Sequence, residues 1–212
     1  MIRIDTMTFN LFQVNTYFLS DETGECIIID AACYDAEEKG IVRKYLSDNK
    51  LRLVRNLNTH CHVDHVLGNE FIADTYHVNP EYHPGAAPFL LTIKEMGLSF
   101  GFHIGTIPAP ARNLVDNEII RWGHSSLRVL YAPGHAEGSV CFYSEAEKFV
   151  ITGDVLFKDT IGRTDLPTGN LNILLKSIQD RLFTLPPDTV VYPGHGPETT
   201  IGYEINNNPF IR

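Results

Sequence analysis

The segment Thr59-His60-Cys61-His62-Val63-Asp64-His65 puts four metal-ligand side chains, His60, His62, Asp64 and His65, within six residues. Imidazole nitrogen and carboxylate oxygen are the usual ligands of zinc and similar borderline metals. Chance would produce this HxHxDH arrangement in on the order of one such chain in a thousand. In extended backbone, side chains at i and i+2 point the same way, so His60 and His62 can grip one ion together. A turn just beyond them would direct Asp64 and His65 towards a second ion. Cys61 sits between two of these positions and, pointing the other way, reads as a packed thiol.

Three more ligand-type residues each follow a predicted strand: His135 after Tyr131-Ala132-Pro133-Gly134, Asp154 after Ile151-Thr152-Gly153, and His195 after Val191-Tyr192-Pro193-Gly194. A Pro-Gly pair turns the chain sharply at a strand end and lets the next side chain project from the sheet rim. A turn alone would not call for His in both places. The isolated His77, His83, His103 and His124 read as ordinary core or surface histidines.

Delivering these residues to one place requires strands and the helices that cover them. Short β-type runs cover 1–8, 15–20 and 26–30, with Asp21-Glu22-Thr23-Gly24 as a hairpin turn. Helical spacing spans 35–48, and the strand at 51–58 runs straight into the HxHxDH segment. A short helix at 66–76 and another at 86–96 are predicted next. The stretch 97–111, carrying Gly97, Gly101, Gly105, Pro108 and Pro110, reads as a surface loop that could serve as a lid. Strands return at 118–122, 127–132, 139–143 and 148–152, then a helix at 171–183 and a strand at 189–192. Strands in both halves with helices between them predict an α/β fold of mixed sheets covered by helices. No repeat or linker divides the chain, so residues 1–212 are expected to form a single domain.

Composition narrows the function. Hydrophobic residues make up 43% and charged residues 20%, enough for one substantial core. The net charge is −9 and the 17 basic residues are scattered, which argues against a nucleic-acid partner. The acidic surplus around Glu37 and Glu38 is expected only to be solvated. No run approaches the roughly 18 apolar residues of a membrane span. With no basic segment and apolar run at Met1-Ile2-Arg3-Ile4-Asp5, a cytoplasmic location is expected. Cys26, Cys33, Cys61 and Cys141 lack paired spacing and are expected to be reduced thiols. The oligomeric state has no signature in the sequence.

HxHxDH, a PGH turn, GD and a second PGH turn follow the ligand order of the metallo-β-lactamase superfamily, which this chain resembles over essentially its whole length. The resemblance implies a four-layer αββα sandwich with a two-metal site at one edge. It implies His60, His62 and His135 on the first metal, Asp64, His65 and His195 on the second, and Asp154 bridging them. Two divalent ions bring four positive charges, Asp64 and Asp154 remove two, and a bridging hydroxide leaves about +1 to attract a developing oxyanion. Asp64 would orient that hydroxide and relay its proton. Zinc heads the candidate ions, and the same ligands accept iron or manganese.

Within the superfamily, GDVLF, IGRTDLP and the ending from Pro193-Gly194-His195-Gly196-Pro197 to Asn208-Pro209-Phe210 look most like the short glyoxalase II-like proteins. That resemblance implies hydrolysis of a thioester such as S-D-lactoylglutathione, a small-molecule substrate with no membrane partner. A thiolate also leaves without strong protonation. Only 17 residues follow His195, so the helical C-terminal region that contacts glutathione in longer glyoxalase II enzymes is expected to be missing. Arg163 could pair with a substrate carboxylate or with Asp165. Persulfide dioxygenases share the fold and a similar GRTD segment. In that alternative a single iron would sit on His60, His135 and Asp154. An inactive member is disfavoured because no ligand is missing. The motif positions differ from those of the secreted β-lactamases.

Overall fold

Three short β-type runs open the fold as consecutive antiparallel strands, and the computed structural model describes them with the rest of the chain over residues 1–211. These are β1 (Arg3–Phe9), β2 (Val14–Ser20) and β3 (Glu25–Ile29). The expected turn joins the last two, with Gly24 N donating to Asp21 O at 3.1 Å. Helix α1 (Ala36–Asp48) begins where the Asp35 carboxylate accepts from Glu38 N at 2.9 Å, satisfying an otherwise unpaired first-turn amide. It carries the chain back so that β4 (Arg52–Leu57) lies parallel to β3, and β5 (Pro80–Tyr82) and β6 (Arg112–Asn113) extend the same sheet.

A second sheet starts as an antiparallel meander of β7 (Ile119–Trp122), β8 (Ser125–Tyr131), β9 (Val140–Ser144) and β10 (Phe149–Gly153). A small hairpin of β11 (Leu156–Phe157) and β12 (Thr160–Ile161) follows. Then β13 (Val190–Pro193) joins β10 in parallel, and β14 (Thr199–Thr200) closes the edge. Because β8 and β10 both oppose β9, they run the same way as β13. All three therefore end at one rim, where His135, Asp154 and His195 follow them.

The two-residue period of a strand builds the layers. Ile27 and Ile29 face the second sheet, where they meet Val129, Phe142 and Ile151 in a dry interior. Cys26 and Ile28, one residue out of phase, face Val42 and Leu46 of α1 and Ile72 of α3 (Asn69–Tyr76). Cys141, Tyr143 and Val150 similarly face Leu174 of α6 (Leu171–Ser177) and Ile201 of α7 (Ile201–Asn207). The result is the expected helix–sheet–sheet–helix order. All four cysteines are free and buried, as expected of reduced thiols. Among the described residues no helix is long and apolar enough to cross a membrane.

Several boundaries differ from the sequence expectations. The predicted helix at 66–76 is two, α2 (Val63–Val66) and α3, separated where Gly68 N donates to Ala31 O at 2.7 Å. The one at 86–96 is also two, α4 (Ala87–Leu91) and α5 (Ile93–Ser99), parted at Thr92, whose φ of −112° and ψ of 7° leave the helical region. The 97–111 stretch gives its first residues to α5 and buries Phe102 beside Ile104 and Ile107, so it is more than a solvated connection. The 171–183 helix changes after Ser177 to a wider π-helical turn, Ile178–Leu182. Glu38 is not merely solvated, since its carboxylate accepts from Asn10 N at 2.6 Å and Tyr34 N at 2.7 Å. Helix α7 is too short, and too rich in Gly and Asn, to show in a helical pattern.

Candidate metal centre

All seven sequence-predicted ligands converge at the rim, coming from the ends of β4, β8, β10 and β13 and from α2. In one set, His60 Nε2 lies 3.1 Å from His62 Nδ1, which lies 2.9 Å from His135 Nε2. A zinc ion with Zn–N near 2.05 Å in a tetrahedron sets its nitrogens roughly 3.3 Å apart, so this spacing suits one shared ion. In the other set, Asp64 Oδ2 lies 3.7 Å from His65 Nε2 and 3.5 Å from His195 Nε2. Asp154 stands between them, with Oδ2 3.7 Å from His135 Nε2 and 3.5 Å from His195 Nε2, and Oδ1 3.4 Å from His65 Nε2.

Hydrogen bonds behind the site fix which nitrogen faces inward. His135 Nδ1 lies 2.8 Å from the carbonyl of Arg163, and His195 Nδ1 lies 2.9 Å from that of Phe12. A carbonyl only accepts, so each Nδ1 carries the proton and each Nε2 keeps its lone pair for the centre. The Asp30 carboxylate does the same for His65 Nδ1 at 2.9 Å. Thr59 Oγ1 donates to Asp30 Oδ2 at 2.7 Å, so its oxygen accepts from His60 Nδ1 at 3.1 Å. Facing the centre, the buried atoms His65 Nε2 and Asp154 Oδ1 have no hydrogen-bond partner, as expected of atoms reserved for cations, and His62 Nε2, turned away from it, is unpartnered too. The residues therefore fit a pair of metal ions.

Burial and charge prepare the two sets differently. Burial pushes the pKa of His60 well below its ordinary value and that of His62 down to about 4, and it lowers His135, so all three stay neutral ligands. Burial also opposes charge on His195, but hydrogen bonds to Asp154 and Asp64 overcome it and raise its pKa to about 9. His65 is raised well above its usual range by Asp154, Asp64 and Asp30 against the same penalty. Asp154, pushed up by burial, is held well below the carboxylate range by attraction to His65 and by hydrogen bonding from His195.

Asp30 and Thr59 are the functional residues that spacing did not reveal. Asp30 is 1% exposed, and its Oδ1 also accepts from Thr59 N at 2.7 Å. With both oxygens engaged it is an orienting group for His60 and His65, although it lies near enough to them to resemble a third ligand set. The available signal was a carboxylate at the end of the apolar run Cys26-Ile27-Ile28-Ile29. Behind it, Asn58 Nδ2 donates to His65 O at 3.2 Å and Asn58 Oδ1 accepts from Asn69 Nδ2 at 2.9 Å, tying α2 to the sheet. Cys61 packs as expected, and burial raises its thiol pKa. Arg163 is paired with Asp165 at 2.7 Å on the rim of a cleft of about 710 Å³ that opens onto the metal residues.

The family model described as the metallo-beta-lactamase superfamily matches residues 9–195, spanning every one of these ligands. The chain belongs to this superfamily. A probable metallo-hydrolase of Streptococcus pyogenes is 39% identical over 93% of this chain and 85% of its own. The hydroxyacylglutathione hydrolase GloC of Haemophilus influenzae is 31% identical over 99% of this chain and 98% of its own. Among solved structures, the BLEG-1 B3 metallo-beta-lactamase superposes with a TM-score of 0.89 at 31% identity, covering 99% of both chains. TTHA1623 in a di-iron-bound form gives 0.85 at 33% identity over 97% of this chain and 99% of its own. ETHE1 from Myxococcus xanthus gives 0.80 at 25% identity over 98% and 83%. With its ligand residues assembled, this member of the superfamily is a metallo-hydrolase.

Proposed function

We propose that this metallo-hydrolase is a glyoxalase II-like thioesterase that cleaves S-D-lactoylglutathione or a related thioester with two divalent ions, zinc first among them. The observation that carries the reading is the complete pair of ligand sets sharing Asp154 beneath an open cleft, in a chain aligned end to end with a hydroxyacylglutathione hydrolase. His60, His62 and His135 would hold one ion, Asp64, His65 and His195 the other, and Asp154 both. Bound there, the ions lower the pKa of water towards 7 and polarise the thioester carbonyl.

The protein's own groups do the rest. Asp64 lines the cleft, and there it would orient the attacking water and accept its proton at a carboxylate oxygen. The leaving thiolate needs no strong acid. Arg163 would have to leave Asp165 to meet a substrate carboxylate. That exchange is cheap, because an ion pair held in water on the surface contributes little.

Similarity to ETHE1 favours the persulfide dioxygenase as a second reading, with one iron on His60, His135 and Asp154. It would leave Asp64, His65 and His195, whose ligand atoms also lie within 4.8 Å of one another, without a task. The deciding experiment is elemental analysis of protein purified without chelator, run beside assays of thiol release and oxygen uptake. About two ions per chain with thiol release from S-D-lactoylglutathione supports the thioesterase. One iron per chain with oxygen consumption on glutathione persulfide supports the dioxygenase. Thiol release that survives replacement of both His135 and Asp154 by Ala excludes the mechanism.

A further inference from the structure

The cleft above the metal residues has one wall far more apolar than a lactoyl group requires. Phe89 stands edge-on to the His62 ring at 5.1 Å between centroids. Phe12, from the turn between β1 and β2, meets Phe100 at 5.2 Å and near a right angle, and Met96 lines the same wall. Phe12, Met96 and Phe100 remain 39%, 42% and 47% exposed. Opposite them Phe157 lies 6.2 Å from the His195 ring. Large apolar side chains kept in water beside a catalytic centre cost solvation unless a ligand covers them.

The placement is enforced by the same contacts that build the site. The carbonyl of Phe12 holds His195 Nδ1 at 2.9 Å, so the residue that orients a ligand also carries a wall of the cleft. Asn10 fixes that turn from below, donating through Nδ2 to the carbonyls of Asp64 and Ala32 at 3.0 Å. Phe12 is therefore anchored at its backbone while its ring faces the cleft. A hydroxylated three-carbon acyl group would leave most of this surface wet.

Resting on the thioesterase reading, we infer that the preferred substrate is a thioester bearing an apolar chain longer than the lactoyl group, seated against Phe12, Phe89, Met96 and Phe100. The chain could belong to the acyl or the thiol side, and the two are separated by experiment. One series varies the acyl group, acetyl to butanoyl to hexanoyl, on N-acetylcysteamine. The other keeps acetyl and varies the thiol from methane- to butane- to hexanethiol. Full burial of each methylene is worth roughly fourfold in affinity, so partial cover predicts KM falling about tenfold along one series.

The double variant Phe100→Ser with Met96→Ser should reduce that gain to about threefold or less. KM flat within twofold along both series, or a slope unchanged in the double variant, overturns the inference. Binding of the unreactive thioethers S-methylglutathione and S-hexylglutathione by titration calorimetry reads the wall without turnover. If the acyl series carries the fall in KM, the hexyl compound should bind about tenfold more tightly, and equal binding in that case also overturns the inference. If no thioester releases thiol yet this preference holds, the thioesterase reading fails while the apolar subsite stands.

Discussion

Asp30 does at the level of one side chain what the ligands cannot do for themselves. Its Oδ2 settles the proton positions of His65 directly and of His60 through Thr59, and it does so with the Asp30 backbone at φ 53°, a left-handed conformation unusual outside glycine. Replacing Asp30 with Ala should weaken metal binding by about 10–100-fold, the usual effect of losing such a partner. Competition with a chromophoric chelator measures it, and an unchanged affinity would refute the role. His195 predicts a pH dependence. Its pKa in the metal-free fold, about 9 against an ordinary 6.5, is raised, so its proton stabilises that fold fully below 6.5. That stabilisation is lost as pH rises through about 9. Thermal unfolding of chelator-treated protein should therefore fall in Tm across this window, and His195→Ala should flatten the slope. The metal-loaded protein, whose His195 nitrogen is occupied, should show little of it. Equal slopes in all three would count against this electrostatic account.

At the scale of elements, the two PGH turns share a sequence but need glycine for different reasons. Gly134 has φ 125°, and a Cβ there would sit 2.2 Å from Leu174 N, so the turn before His135 is tied to α6. Gly194 has no such φ, but a Cβ there would lie 2.2 Å from Asp154 Oδ1. Gly194→Ala should thus displace Asp154 and cut metal occupancy while the circular dichroism spectrum stays native. Full occupancy in that variant would contradict the crowding. Glu204 is the second element-scale device. It is fully buried in α7, accepts from Thr199 Oγ1 at 2.6 Å and Asn208 Nδ2 at 2.8 Å, and receives Asp159 N at 3.2 Å, holding the β11–β12 hairpin against the cleft. Glu204→Ala strands those donors and should cost about 1–3 kcal/mol for each one left unsatisfied. Glu204→Gln should retain most of the stability in a denaturant titration, and equal losses in the two variants would argue against a role for these hydrogen bonds.

These elements also mark how far the sequence could be read. The ligands were legible because each is a rare residue type at a strand end, and the long strands were legible because Ile27-Ile28-Ile29 or Phe149-Val150-Ile151 advertise burial. Asp30 was not, since one Asp after an apolar strand looks like any strand terminus until Thr59 and His65 arrive from distant positions. The breaks at Gly68 and Thr92 and the helix carrying Glu204 were hidden as well. A tertiary hydrogen bond, Gly68 N to Ala31 O, decides the first, and local propensity does not contain that information, while the helix carrying Glu204 is too short and too rich in Gly and Asn to show.

Over the whole molecule the site is a seam. His60, His62, Asp64 and His65 belong to the first sheet's half, and His135, Asp154 and His195 to the second's. Crosslinks from β2 reinforce it, as Tyr17 OH donates to Pro193 O at 2.6 Å and Asn15 Nδ2 to Gly196 O at 2.9 Å. Ions bound across such a seam stabilise the native state alone, by about 2.7 kcal/mol at a hundredfold excess over Kd. Chelation should accordingly lower the Tm by several degrees, reversibly on reloading. The most direct test of the two-ion centre is anomalous diffraction from metal-loaded crystals. Two peaks are expected, one within reach of His60, His62 and His135 and one of Asp64, His65 and His195, with Asp154 touching both. A single peak at full loading, or peaks away from these side chains, would contradict it.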